Sequence, residues 1–358
     1  MTSTKYIGMD VHTESISIAV RNSLGKVVIE SVIETKASTI LQFIDGLRGD
    51  LRVVFEEGTW SAWLYDLLKP HVTEVLVCNT RKNAQDGSKS DRIDARKLSE
   101  MLYMNNIKSV YHGQHGLRTL KELGRSYLTI SKDLTRVMNR IKALYRSWAI
   151  PCTGTEVYAP RYRVEWLAKI SEAGVRRRAE HYYEQLDALR ALRPKVRQDL
   201  LVEAKKHKAW KLLRHIPGIG PIRAAILIAV MQTPHRFRTK RQLWKYSGLG
   251  LETHDSAQYY VAEGQLHRSK KPPTVRGLNK DHNHDLKDIF KGAATRVSSS
   301  GGPLRDFYEN LLAKGRKPTM ARLTLARKIA AITLICWKKE VRFDANYLKQ
   351  QTVSSASG

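Results

Sequence analysis

The chain has 358 residues, 42% of them hydrophobic, enough for two or three packed domains and too apolar for wholesale disorder. Lys and Arg outnumber Asp and Glu by 62 to 34, a formal net charge of +28, so a polyanion such as nucleic acid is the expected partner. Cys78, Cys152 and Cys336 lie far apart, which excludes a disulfide framework and a four-cysteine zinc site and fits a reducing compartment.

In chain order, residues 6–10, 15–20 and 27–33 carry strand patterns, the first two joined by a short polar turn and the next by a turn at Gly25. A helical spacing over 39–47, a strand at 51–55, a helix at 61–68 and a strand at 72–78 follow. A further helix opens near Ser90 and runs to about Met104. Three meandering strands followed by strand–helix alternation predict a mixed sheet with helices packed on it. From Leu117 to Trp148 apolar residues recur every three or four positions, while the other faces carry Arg125, Lys132, Arg136 and Arg140. Pro151 ends this helix, and a second basic helix is expected over 164–206. Two antiparallel helices here would make a coiled-coil arm, a surface able to dimerise or to track a nucleic-acid backbone, rather than a plain spacer. A compact helical region is expected from about 208 to 343, broken by a polar, basic loop over 253–279 that holds Arg268, Lys270, Lys271, Pro272 and Pro273.

The expected organisation is therefore a mixed α/β domain over 1–112, a helical arm over 113–206, a helical domain over 207–346 and a disordered small-residue tail over 347–358. The first residues lack an apolar leader, and the longest apolar run, 224–231, is too short to span a bilayer. A cytoplasmic, nucleoid-associated bacterial protein with no membrane partner is expected.

Chemistry concentrates in the carboxylates. Asp10 ends the first strand, and Glu56, with Glu57 beside it, ends the strand at 51–55. Asp91 and Asp94 stand three apart at a helix start, on one helical face, flanked by Lys89, Arg92 and Arg96. Strand ends and a helix start at one sheet edge are where an open α/β sheet places its site. Four such acids repel unless a cation neutralises them, and hard oxygen ligands favour Mg2+ or Mn2+. Two such ions polarise a phosphodiester and stabilise attacking and leaving oxygens. Against this, Asp91 and Asp94 also suit a helix N-terminus paired with Arg92 or Arg96. Either Glu56 or Glu57 could be the ligand; strand alternation favours Glu56.

Further on, Gly218 and Gly220 sit in the turn Ile216-Pro-Gly-Ile-Gly-Pro221 between two helical patterns. Such glycines let backbone N–H groups approach a phosphate, as in a helix–hairpin–helix grip on DNA, or simply make a tight turn. Gly248-Leu249 leads toward Ser256, which by itself is an ordinary loop serine. His254, His267, His282 and His284 invite a zinc reading, but His282 and His284 are two apart, a spacing that splits them across a helix.

The order of elements and acids resembles the RuvC-like, ribonuclease-H-like nuclease fold. More closely, Gly8-Met-Asp-Val-His12, Val54-Phe-Glu56 and Lys89-Ser-Asp-Arg-Ile-Asp-Ala95 resemble the DEDD transposases of the "one-ten" insertion-sequence family, relatives of the Piv DNA invertases. Gly248-Leu249 and Ser256 resemble that family's serine stretch, with Leu251 in place of its usual proline and Ala257 in place of the glycine after the serine. The resemblance implies a recombinase in which metal-bound carboxylates activate DNA and Ser256, in cis or from a neighbouring subunit, attacks the scissile phosphate. It also implies excision and integration of an insertion sequence, donor and target DNA as substrates, a structured guide (bridge) RNA, and a dimer or tetramer. Two alternatives remain: a metal-dependent, structure-specific nuclease of the Holliday-junction type with water as nucleophile, and a non-catalytic nucleic-acid-binding protein.

Overall fold

The computed structural model describes residues 3–79, 91–107, 109–110, 117–254, 259–262, 265–268 and 274–345; at 91, 92, 253, 254, 259–262, 266, 268, 275 and 276 it describes the backbone alone. The chain forms two compact units, Met1–His115 and Gly116–Gly358, so the long helices and the C-terminal helices share one unit.

In the first unit, β1 (Lys5–Val11), β2 (Ser15–Arg21), β3 (Val27–Glu34), β4 (Leu51–Glu56) and β5 (Glu74–Cys78) form a five-stranded sheet in the order β3-β2-β1-β4-β5. β1–β2 and β2–β3 pair antiparallel, β1–β4 and β4–β5 parallel. Short turns make the antiparallel half. The parallel half needs crossovers, supplied by α1 (Ala37–Asp45) before β4 and α2 (Ser61–Leu68) before β5. Alternation along the strands sorts the two faces. Ile7, Met9, Val53 and Phe55 pack with Ile40, Ile44, Leu64 and Leu68 of α1 and α2. On the opposite face, Val54 and Cys78 pack with Leu98 and Leu102 of α3 (Asp91–Tyr103). The elements match the sequence pattern to within one or two residues.

The second unit begins with α4 (Arg118–Ser147), followed by α5 (Arg163–Ala168) and α6 (Ala173–Lys205). The single helix expected over 164–206 is therefore two. Leu167 and Ile170 keep helical spacing through the break, which hid it; Arg176 donates to the Ile170 carbonyl at 2.7 Å and holds the chain at the corner. α4 and α6 lie antiparallel, with Tyr145 Oη 3.1 Å from Tyr183 Oη at one end and Tyr127 near Arg193 toward the other. Val137, Ile141, Leu144, Tyr145, Ala179, Tyr183 and Leu186 make their shared core, and α6 continues through Pro194.

The other ends of α4 and α6 join a larger core built by α7 (Lys208–Leu213), α8 (Gly220–Met231), α9 (Lys240–Tyr246), α10 (His284–Ser298), α11 (Pro303–Ala313) and α12 (Pro318–Lys339). α8 buries Ala224 to Ala229 and Met231 on all sides, which explains why 224–231 read as one apolar run. The stretch expected to be a loop over 253–279 contains strands. β6 (Leu251–His254) pairs antiparallel with β9 (Thr274–Leu278), and β7 (Tyr259–Ala262) with β8 (Gln265–Arg268). Among the described residues, no helix is long and apolar enough to cross a membrane.

Candidate functional site

Asp10 and Glu56 follow the last register pair of the parallel strands β1 and β4, Met9 opposite Phe55, and so emerge side by side at one sheet edge. Alternation places both on the face of Gly8 and Val54, the face covered by α3. The contact there is unusually close. A Cβ on Gly8 would stand 2.2 Å from the Ala95 carbonyl oxygen and 2.5 Å from the Ser99 nitrogen, so only glycine admits the helix. At the other end of α3, Tyr103 packs edge-on against Tyr6, with ring centroids 5.3 Å apart. α3 therefore runs opposite to β1. A strand advances roughly 3.3 Å per residue and a helix roughly 1.5 Å, so Asp10 lies roughly 7 Å beyond Gly8 while Asp94 lies roughly 4.5 Å beyond the Ala95–Ser99 contact. The first turn of α3 thus reaches the level of Asp10 and Glu56. Arg96 fixes the helix laterally through a bidentate pair with Glu30 of β3, and Arg21 donates to Ser99 Oγ at 3.2 Å.

Each acid has a distinct setting. Asp10 is 16% exposed at its side chain, and its Oδ2 lies 3.0 Å from His12 Nε2. Glu56 stands opposite Cys78 in the β4–β5 register, and burial together with the Glu56 charge pushes the Cys78 thiol up to about 12. Glu57, past the strand, is tied elsewhere: its N–H donates to the Cys78 carbonyl at 2.8 Å and its carboxylate accepts from Asn79 Nδ2 at 3.4 Å. Asp94 Oδ1 is buried with no hydrogen-bond partner among the described residues. Such an acceptor costs on the order of 1–3 kcal/mol unless something fills it. Oxygen donors of this kind, one of them a buried carboxylate oxygen with no hydrogen-bond partner among the described residues, suit a hard divalent cation such as magnesium or manganese rather than zinc. Among the described residues, no three His, Cys, Asp or Glu side chains stand close enough together to hold a metal ion. The side chains of Asp91 and Arg92, and all of Lys89, lie outside the described residues.

Ser256, Lys270 and Lys271 also lie outside the described residues, as does the Arg268 side chain. The turn leading to Ser256 is described and is rigidly anchored. Gly248 takes a positive φ of 65°, and a Cβ there would meet the His282 ring at 2.5 Å. Leu249 is fully buried, its carbonyl accepting from Arg327 Nε at 2.6 Å, and Gly250 N–H donates to the Trp244 carbonyl at 2.9 Å. Arg327 was not singled out in the sequence. Its only signal is the cation pair Arg327-Lys328 inside an otherwise apolar stretch of α12. His282 and His284 are not split across a helix, because His282 precedes Asn283, the N-cap of α10; their rings lie 4.4 Å apart. Gly250 and Asn279 hydrogen-bond at the root of β6 and β9, so both strands leave from this anchored turn.

The glycines of the 216–221 turn divide in role. Gly218 (φ 84°) backs onto α10, where a Cβ would press Val297 at 2.7 Å, while Gly220 (φ 59°) faces open space. Arg223 donates to the Gly218 carbonyl at 2.7 Å and closes the turn. On α4, Arg125 pairs with Glu122 and Arg136 with Asp133, each at 2.8 Å or less; Lys132 reaches Asp285 at 2.7 Å, and Arg140 is exposed. Exposed pairs of this kind are worth at most about 1 kcal/mol and yield readily to phosphate.

Two family models match the chain. One, described as a DEDD transposase of the IS110 type, matches residues 7–148; the other, described as "Transposase IS116/IS110/IS902 family", matches residues 210–309. The first span holds Asp10, Glu56, Asp91 and Asp94, the second Gly218, Gly220 and Ser256. The chain is also 25% identical over 118 residues to the "Insertion element IS116 uncharacterized 44.8 kDa protein" of Streptomyces clavuligerus. That match covers 33% of this chain and 26% of the relative, about a quarter of its length.

Proposed function

The chain belongs to the IS116/IS110/IS902 family of transposases, and from that premise we propose that it cuts and rejoins DNA to move an insertion sequence. The observation that supports the reading is Asp94 Oδ1, buried with no hydrogen-bond partner among the described residues, in the first turn of the helix packed on β1. Asp10, Glu56, Asp91 and Asp94 would hold Mg2+ or Mn2+. When bound, such an ion supplies Lewis-acid polarisation of a phosphodiester. The first unit is then a RuvC-like domain over 1–112, and the α4–α6 pair a coiled-coil arm over 113–206. Residues 207–346 are a transposase domain whose Gly218–Gly220 turn acts as a helix–hairpin–helix grip.

Ser256 is the nucleophile in this reading, in cis or in trans. Its oxygen bonds to phosphorus as the bond from phosphorus to a deoxyribose oxygen breaks, and the hydroxyl proton ends on the leaving oxygen. The covalent phosphoserine keeps the bond energy and rejoins a strand by the reverse step, with no high-energy cofactor. A net charge of +28 suits both donor and target DNA and a structured guide RNA, with Arg125, Lys132, Arg136, Arg140, Arg268, Lys270 and Lys271 as backbone contacts. Strand exchange between two DNA ends calls for more than one active centre, which a homodimer or tetramer supplies.

The test is protein trapped on nicked DNA, resolved on a denaturing gel. Wild type should give a covalent adduct that depends on Mg2+ or Mn2+. Ser256→Ala should give neither adduct nor nick, and Asp94→Asn should lose both while binding DNA as well as wild type or better. Nicking that persists in Ser256→Ala, with no adduct in wild type, identifies a hydrolytic nuclease instead.

A further inference from the structure

Where α6 ends and α7 crosses it, the second unit carries a concavity of about 580 Å³ lined by Lys205, Trp210, Lys211, Arg214, His215 and Arg342. Four of the six are cations, and no described carboxylate lines the space. The nearby acids are committed to other partners: Glu203 to Lys206 at 2.6 Å, and Glu340 to Lys208.

The concavity is constructed rather than merely basic. Trp210 forms its floor, held by an indole N–H that donates to the Pro221 carbonyl at 2.9 Å. The Arg214 guanidinium lies 4.8 Å from the centre of that ring. A stacked guanidinium loses little freedom on binding and keeps an N–H edge for two phosphate oxygens. Arg342 arrives by a specific route. α12 ends where Glu340 takes the left-handed conformation (φ 53°, ψ 33°), and Val341 N–H donates back to the Cys336 carbonyl at 3.1 Å. Glycine is the usual residue in that conformation. Here a glutamate fills it, clamped by Lys208 of α7, and the chain turns so that Arg342 closes the rim. Lys205 and Lys211 also suit the C-terminal ends of their helices. That role leaves Arg342 and the arrangement around Trp210 without a purpose.

We propose that this concavity is a docking site for the backbone phosphates of a nucleic-acid strand, gripping phosphates regardless of base. The inference rests on the proposed function only for the presence of a nucleic-acid partner. All six lining residues belong to the second unit, and Arg214 and His215 lead into the Gly218–Gly220 turn.

The experiment uses the full chain and the combined variant Lys211→Gln, Arg214→Gln, Arg342→Gln, with binding followed by fluorescence anisotropy on labelled duplex DNA and on single-stranded RNA between about 50 and 200 mM salt. Urea unfolding is measured in parallel. Affinity should fall about tenfold or more, and the plot of log affinity against log salt should flatten by about two to three, one unit per lost contact. A loss confined to DNA or to RNA names the strand held; a loss on both means that either is accepted. Unchanged affinity and slope on both polymers, or lower stability with affinity intact, overturns the proposal. Should the triple variant not fold, Arg342→Gln alone, in the exposed stretch after α12, decides by a slope change of about one or none. Wild type that binds through the concavity but nicks no DNA sinks the recombinase reading and leaves the site standing. Nicking with unaltered binding by the variant sinks the site alone.

Discussion

Replacing Gly8 by alanine probes the contact that brings α3 over the sheet. The added Cβ would sit 2.2 Å from the Ala95 carbonyl oxygen, where ordinary contact begins at 3.4 Å, so α3 must lift by about 1.2 Å. The obstacle is backbone on both sides, Ala95 O and Ser99 N, and no rotamer change relieves it. Overpacking of this kind costs about 1–3 kcal/mol, and the lift also carries Asp94 away from Asp10 and Glu56. A displacement of that size in a reacting site costs on the order of 100-fold in rate. The expected outcome is twofold: a melting point for the first unit lower by roughly 4–12 °C, and metal-dependent nicking reduced about 100-fold while DNA affinity, carried by basic surfaces elsewhere, is kept. Differential scanning calorimetry and single-turnover nicking measure the two effects. Gly8→Ala with wild-type melting and wild-type nicking would refute the placement of α3, and with it the inference that its first turn completes the carboxylate site.

Two further outcomes follow from buried groups. The Cys78 thiol is raised from the ordinary 9 to about 12, so the folded state keeps its proton where the unfolded chain loses it. The associated stability is full below pH 9 and is lost on the order of 4 kcal/mol by pH 12; Cys78→Ala should flatten that alkaline fall in urea titrations, and an identical fall in both proteins would exclude Cys78 as its source. Arg327→Met removes the donor to the buried Leu249 carbonyl, and about 1–3 kcal/mol of stability should go with it in the second unit. A variant of unchanged stability would mean that the turn before Ser256 does not depend on that bond.

How far the fold was legible depends on how far each element advertises itself locally. β1 and β4 each carry three consecutive buried residues because both sheet faces are covered, and their apolar runs place the ends to within one residue. β6 to β9 were not read. Three have four residues and one five, too short for alternation to register, and they lie in a polar, basic stretch punctuated by Pro272 and Pro273. The break between α5 and α6 escaped notice for the opposite reason: Ile170, which stays buried, preserves the helical period across a corner made of backbone. Tertiary contact, not local propensity, decides such places.

The candidate site shows the same division between what a sequence states and what only packing reveals. The sequence singles out the acids by type and position, because a strand end and a paired-acid helix start can be read without a partner; among the described residues no three of them stand close enough together to hold an ion. What the sequence does not announce is Gly8, an inconspicuous residue in the middle of β1 whose missing side chain admits α3. Gly218 teaches the converse. Its spacing from Gly220 suggested a backbone opened to phosphate, yet its own missing Cβ is spent against Val297 and Ala293 of α10, leaving Gly220 as the glycine with open space before it. The turn's capacity to meet a phosphate therefore rests on Gly220 and the start of α8, and a side chain at Gly218 should damage packing before it damages binding.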